Sequence, residues 1–193
     1  MEMMVQSRRD ELVDTALRLF YTRGFNATGI DKILAEAGVA KMTLYKHFAT
    51  KDALILAALR EADERSRSRM IAEIESRATD PRERLLALFD FASDWVTREE
   101  FRGCLFIRAS GEFPAEDDPV RAACAEHAAM ITRYLTGLAV QAGAREPDAL
   151  ARSLVLLFTG VLAAGQTGTG SNMAPTAREA ARTLIDAHLL TDA

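Results

Sequence analysis

Cysteine is scarce in this 193-residue chain. Its two thiols, Cys104 and Cys124, are too few to staple a small secreted fold. Their spacing matches no metal-ligand motif, so they read as buried inert thiols, with peroxide sensing as the sharper alternative. Long apolar runs are lacking too. The longest strongly apolar stretch, Leu154 to Gly165, is about a dozen residues, whereas a membrane span needs about 20. Met1–Gln6 has no basic-then-apolar order of a signal peptide, so the expected location is the cytoplasm. No alternating strand pattern, internal repeat or low-complexity stretch is present. Catalytic signatures are missing as well: there is no nucleophile elbow, phosphate loop, Glu-x-x-His pair or Rossmann glycine pattern. His127 and His188 have no helical metal partner and read as structural or surface residues. No metal or cofactor is therefore expected, and an all-α enzyme is the remote alternative. Finally, net positive charge is absent. The formal charge of −4 argues against a phosphate-binding surface, but residues 1–50 carry 7 Lys+Arg against 6 Asp+Glu, and the acidic excess falls in 51–193.

What is present is apolar content at 49%, enough for a core, in a helical pattern. The length suits one domain or two small ones at roughly 150 residues each. Val13, Ala16, Leu17 and Phe20 fall at i, i+3, i+4 and i+7, and Gly24 stops that helix. Thr28 is the expected N-cap of a second helix, which carries Ile30, Ile33, Leu34 and Ala37 and ends at Gly38. A third short helix runs from about 41 to 48, with Leu44 and Phe48 inward. Thr50 is the expected cap of a long fourth helix to about 78, apolar first and charged later. Arg65, Arg67 and Arg69 in that helix read as a solvated face, as does the acidic loop at Glu116-Asp117-Asp118. Asp80-Pro81 marks a break, with further helices over about 82–101, 103–113, 119–142, 147–165 and 176–190. The expected class is all-α, divided near residue 50.

Residues 28–48 have the layout of a helix-turn-helix, two short helices joined by a turn containing glycine. In that motif the second helix enters the DNA major groove, so it should expose hydrogen-bonding side chains on one face and anchor the other. Leu44 and Phe48 are the anchors here, and Lys41, Thr43, Tyr45, Lys46 and His47 project.

Residues 9–57 resemble the DNA-binding domain of the tetracycline-repressor (TetR) family of bacterial regulators. The resemblance rests on Ala16-Leu17-Arg18-Leu19-Phe20, Arg23-Gly24-Phe25-Asn26-Ala27-Thr28 and Ile33-Leu34-Ala35-Glu36-Ala37-Gly38-Val39. Its strongest part is Thr43-Leu44-Tyr45-Lys46-His47-Phe48 followed by Lys51-Asp52-Ala53-Leu54. It implies an N-terminal three-helix DNA-binding domain over 1–50 and a larger helical ligand-binding and dimerisation domain over 51–193. It also implies DNA contacts by Thr28, Gly29, Lys41, Met42, Thr43, Tyr45, Lys46, His47 and Lys51, the last on phosphate. The chain departs from the family pattern at Ala40, often Ser and unable here to cap, at Gly29, and at Met42, whose bulk suits thymine methyls.

For residues 51–193 two roles follow. Leu154-Val155-Leu156-Leu157-Phe158, continuing to Val161 and Leu162, is apolar nearly all round and must be buried on more than one face. The resemblance implies a four-helix dimer interface from the last two long helices, with Leu154, Phe158, Val161, Leu162, Leu184 and His188 as candidates; burial inside the monomer is the alternative. The second role is sensing. Leu88, Phe91, Trp95, Phe106, Met130, Tyr134 and Phe158 are candidate lining of an apolar pocket, with Arg108, Glu112 or Tyr134 meeting a polar end. The expected function is a homodimeric regulator of double-stranded DNA, most often a repressor in such a family, released from a palindromic operator by an apolar or aromatic small molecule. A DNA-binding activator or scaffold without ligand is the alternative.

Overall fold

The computed structural model describes residues 7–189; the N-terminal hexapeptide Met1–Gln6 and the last four residues lie outside the described part. Every regular element among the described residues is a helix: α1 (Arg8–Arg23), α2 (Ile30–Ala37), α3 (Lys41–His47), α4 (Lys51–Arg77), α5 (Pro81–Val96), α6 (Leu105–Glu112), α7 (Pro119–Gln141), α8 (Pro147–Gln166) and α9 (Gly170–Leu189). The all-α expectation holds.

The helices sort into two compact units. The first comprises residues up to Arg65 together with Leu105–Ala125; the second comprises Ser66–Cys104 and the residues from Glu126 on. The N-terminal unit thus takes in the first half of α4, all of α6 and the start of α7. Its core is built on the α1 stripe of Leu12, Val13, Ala16, Leu19 and Phe20, joined by Phe25, Ile33, Leu44, Leu54 and Ile55, all buried. Phe20 and Phe25 stack at 4.9 Å between centroids, and Phe113 meets Phe25 edge-on at 5.7 Å.

Local signals account for most helix ends. Ser7 caps α1, its hydroxyl accepting from the Asp10 N–H at 3.2 Å. Asp80 does the same for α5, with Pro81 in the first turn where a missing N–H costs nothing. Thr50 accepts from the Ala53 N–H at 3.1 Å, as its position suggests. Gly38 takes the left-handed conformation after α2, and Gly24 ends α1 at a φ of 92°.

Three boundaries differ from expectation. The α2 cap is Gly29, without a side-chain bond, because the Thr28 hydroxyl turns inward and donates to the Gly24 carbonyl at 2.7 Å. Helix α5 ends at Val96, where the Thr97 hydroxyl takes the Ser93 and Asp94 carbonyls and Phe101 folds back edge-on against Trp95. Helix α9 begins at Gly170 rather than 176 and carries Pro175 inside it. The connection from α8 is correspondingly tight. A Cβ on Gly170 would lie 2.6 Å from the Gly165 Cα, and one on Gly165 would lie 2.7 Å from the Phe101 ring. Only glycine admits that approach.

In the second unit α5, α8 and α9 pack pairwise. Leu150, Leu154, Phe158, Val161 and Leu162 form the buried face of α8, and Ala174, Ala177, Ala181 and Ile185 that of α9. Arg82–Asp186 at 2.6 Å and Arg178–Asp90 at 2.8 Å tie α5 to α9 across the surface. Among the described helices α8 alone has the length and apolarity to cross a membrane, with a mean hydropathy of 1.5. One stripe of it is buried, in the group of α5, α8 and α9.

Candidate nucleic-acid interface

Helix α3 is seven residues long and held by few elements, so its geometry follows from its two anchors. Leu44 is wholly buried and Phe48, just past the helix, nearly so. Arg9 lies over the Phe48 ring at 5.6 Å, which shields that anchor from α1. With those two residues inward, the opposite face of α3 must point to solvent. Met42 is 82% exposed and Tyr45 46%, and Lys41, Lys46 and His47 are exposed as well, while Thr43 is half-buried. Ala40 stands at the N-cap with no side-chain bond, so the first amides of α3 have no side-chain acceptor there.

Helix α2 braces α3 from behind. Glu36 accepts from Arg18 at 2.6 Å and pairs with Lys32 at 3.0 Å, pinning α2 to α1. The Arg18 hydrogen bond first, then Lys32, holds the Glu36 carboxyl below its ordinary range. Asp31 in the first turn of α2 is 3.9 Å from the Lys41 ammonium, both largely exposed.

The predicted contact residues therefore divide. Gly29, Lys41, Met42, Tyr45, Lys46 and His47 share solvent access around the second helix of the motif. Thr28 is a correction: it is 0% exposed and its hydroxyl is spent on the Gly24 carbonyl, so its side chain belongs to the core and not to a contact surface. Lys51 is half-buried, and its ammonium donates to the Phe25 carbonyl at 2.7 Å. Two donors of that ammonium remain for other partners.

The pocket candidates also divide. Leu88, Phe91, Trp95, Met130, Tyr134 and Phe158 lie in the second unit, whereas Phe106 and Arg108 belong to the first. Phe91 meets Trp95 at 5.7 Å and Phe158 at 6.5 Å, which makes one aromatic cluster. The Tyr134 hydroxyl is buried without a hydrogen-bond partner, and burial pushes its ionisation upward. Arg108 instead donates to the Tyr21 and Phe20 carbonyls at the end of α1, at 2.7 and 3.4 Å. Glu112 accepts from the Phe25 and Asn26 amides at 3.1 and 2.7 Å. Sequence reasoning missed this use of α6. The only available signal was that Arg108 and Glu112 stand four apart and so share a helix face.

The dimer candidates need a similar correction. Leu154, Phe158, Val161 and Leu162 are buried within a single protomer, on the face of α8 that packs in the α5–α8–α9 group, which is the alternative that the sequence left open. Leu184 and His188 are half-buried. The apolar surface of α8 is carried instead by Leu156, 73% exposed, followed by Gly160 and Ala163 on the same side.

Both cysteines are buried and neither is in a disulfide. Burial pushes the pKa of the Cys124 thiol up, opposed by a hydrogen bond with Ser110 and reinforced by the charge of Asp118. At neutral pH the side chain is then the unreactive thiol. Alkylation of Cys124 in the folded protein is expected to be far slower than that of free cysteine at pH 7.5, rising only above the ordinary thiol range. Because the folded value is raised, its contribution to stability is full below the unfolded thiol value and is lost as pH climbs through the folded one. Mass-spectrometric labelling rates against pH check this; labelling at the free-thiol rate at pH 7.5 would count against it.

Residues 12–58 match the family model for bacterial regulatory proteins of the tetR family, and residues 81–185 match the tetracyclin repressor-like C-terminal domain. The HTH-type transcriptional regulator LmrA of Bacillus subtilis is 32% identical over 120 residues, covering 61% of this chain and 63% of that protein. The HTH-type transcriptional repressor KstR2 of Mycolicibacterium smegmatis is 37% identical over 83 residues, covering 43% of this chain and 40% of its own length. The matched stretches thus span less than two thirds of these curated relatives. A crystal structure of a TetR-family transcriptional regulator from Streptomyces coelicolor superposes with a TM-score of 0.87 at 33% identity, covering 95% of this chain and 90% of that one. With both family models matched in order along a chain of this fold, the protein belongs to the tetR family of bacterial regulatory proteins.

Proposed function

We propose that this chain is a cytoplasmic DNA-binding transcriptional regulator, not an enzyme, which represses from a palindromic operator as a homodimer and is released by a small apolar or aromatic effector. The observation that carries the reading is the division of α3: Leu44 and Phe48 fix it from within, and Lys41, Met42, Tyr45, Lys46 and His47 are exposed on the other side. That face supplies cations and a phenol for phosphates and base edges, and Met42 for apolar contact with thymine methyls. The Gly29 amide, with the Thr43 and Lys51 side chains, completes the proposed contact set.

One α3 reaches a half-site of a few base pairs, so useful affinity requires two copies about 34 Å apart. A second copy seated on Leu156, Gly160 and Ala163 of α8, with Met173, Leu184 and His188 of α9, would supply them. The support for that seat is the exposed side chain of Leu156 on α8 and of Met173 on α9. For the effector, the support is that the Phe91–Trp95–Phe158 cluster and the orphaned Tyr134 hydroxyl belong to the same unit, which thus carries apolar rings and one polar group without a partner, the ingredients of a small-molecule site. Leu88 and Met130 extend the proposed lining.

Release then follows as a population shift. The effector favours a conformation whose recognition helices are wrongly spaced and lowers DNA affinity by its differential binding. The test is salt-dependent binding to a duplex that the protein selects from a random pool. A palindromic footprint and a steep slope are expected. Lys46→Met should flatten the slope by about 0.9 per copy if that ammonium meets phosphate. A footprint on one half-site only, or a slope unchanged in Lys46→Met, would refute this assignment.

A further inference from the structure

We propose that Glu112, at the end of α6, is a positioning residue for DNA binding: it fixes the peptide group that holds the Lys51 ammonium at the start of α4. The inference rests on the DNA-binding reading above and concerns only the N-terminal unit, to which all the residues involved belong.

The geometry centres on one amide plane. The Phe25 carbonyl and the Asn26 N–H are two ends of a single peptide group, rigid and trans, so they point in opposite directions. Glu112 Oε2 accepts from the Asn26 N–H at 2.7 Å, and Lys51 Nζ donates to the Phe25 carbonyl at 2.7 Å. A carboxylate and an ammonium therefore grip the same planar group from opposite sides. Each polarises the amide in the sense that strengthens the other's bond. Glu112 Oε1 takes the Phe25 N–H as well, at 3.1 Å, so the carboxylate spans two successive amides. It lies so close that a Cβ on Gly24 would meet Oε1 at 2.8 Å.

Arg108, one turn earlier on the same face of α6, completes the grip by donating to the Tyr21 carbonyl at 2.7 Å. The cation on the terminal carbonyls of α1 is the arrangement that the helix dipole favours, and the anion is held next to them by the two amide bonds and not by the dipole. The turn so held is the one that delivers α2. The Thr28 amide donates to the Phe25 carbonyl at 3.3 Å, and Gly29 follows as the α2 cap. Without the carboxylate, the Phe25–Asn26 plane keeps only the Lys51 bond and the long Thr28 bond on its carbonyl side, and the Lys51 ammonium is held to a less firmly fixed carbonyl. A motion of α6 would reach the DNA face along the same route.

The test uses the full chain and a duplex selected by the wild-type protein from a random pool. Glu112→Ala is expected to weaken binding at fixed salt at least about tenfold. It should also lower the magnitude of the salt slope by about 2, about 0.9 for each of two Lys51 copies. Lys51→Met alone should show the same slope loss, and the double variant should lose less than the sum of the two singles. A merely structural role would lower thermal stability while leaving the slope unchanged. Glu112→Gln, whose carbonyl still accepts one N–H, should fold and fall between the two, and it decides the question if Glu112→Ala does not fold. Wild-type slopes in folded Glu112 variants, or additive losses with Lys51→Met, overturn the proposal. If the wild-type chain selects no duplex, the DNA-binding reading itself falls, which is a separate result.

Discussion

Replacing Phe25 by alanine is expected to remove about 3–5 kcal/mol from the N-terminal unit, the usual cost of deleting a buried phenylalanine ring. Phe25 is wholly buried and makes two ring contacts, stacking on Phe20 at 4.9 Å and taking Phe113 edge-on at 5.7 Å. Such pairs add about 0.5–1.5 kcal/mol beyond area burial. The surroundings cannot close the gap easily. The backbone on either side is tied by the Glu112 and Lys51 bonds, and Gly24 just before it sits at a φ of 92° that few other residues accept. Against a total stability on the order of 5–15 kcal/mol, that loss leaves the helix-turn-helix marginal. Hydrogen exchange at the α1–α3 amides should accelerate by roughly two to three orders of magnitude. Met42→Ala, at the most exposed apolar side chain of α3, should change stability by no more than about 0.5 kcal/mol. A shift below about 1 kcal/mol in Phe25→Ala would mean that the ring stack is not what fixes the turn.

The division between what the sequence reveals and what it conceals follows the range of each signal. The α1 stripe, Gly24, Gly38, Asp80-Pro81 and the Leu44 and Phe48 anchors are local. Each is decided by residues within a turn or two and appears in the structure where its spacing puts it, except that Leu17 of the expected stripe is half-buried and Leu12 and Leu19 join Val13, Ala16 and Phe20 inside. Thr28 shows how a local signal can mislead. A threonine before an apolar run is a good cap, but its hydroxyl found the Gly24 carbonyl four residues back and went inward, leaving the cap to Gly29. The α9 start was hidden because a proline reads as a boundary, whereas here it stands in the second turn of a helix begun by a close pair of glycines. The role of Glu112 is not legible in this way. Its partner amide at Asn26 is 86 residues away, and the spacing of four from Arg108 shows a shared helix face but not what that face grips.

The charge balance is a further case. A net of −4 over the whole chain says little about α3, because the charges relevant to DNA lie on one exposed face. Part of the cationic supply of the first unit is internally committed: Arg18 to Glu36, Arg65 to Asp14, and Lys51 to a carbonyl. The proposed phosphate contacts therefore fall to Lys46, to Lys41 beside Asp31, and to the two donors that Lys51 keeps beyond its carbonyl.

Helix α8 poses the opposite problem, since a helix apolar nearly all round offers no periodicity to say which face is inward. The structure decides it, and the decision makes the second large prediction. Leu154 and Leu156 stand two residues apart on opposite sides: Leu154 is wholly buried against the protomer's own helices, and Leu156 is 73% exposed. Leu154→Asp should place an unpaired carboxylate in the core and unfold the second unit. Leu156→Asp should leave the protomer folded, with thermal stability within about 0.5 kcal/mol at concentrations where it is monomeric. If the proposed interface is built on Leu156, Gly160 and Ala163, two facing aspartates would meet across a two-fold axis, where residues near the axis approach their own copies. Desolvating like charges there should abolish the dimer at micromolar concentration. Operator affinity should then fall by about 10²–10⁴, the range by which linked half-sites exceed one alone. Sedimentation and binding to full and half operators measure both effects on one sample. A Leu156→Asp protein that remains dimeric and binds a full operator as the wild type does would move the interface off this face of α8.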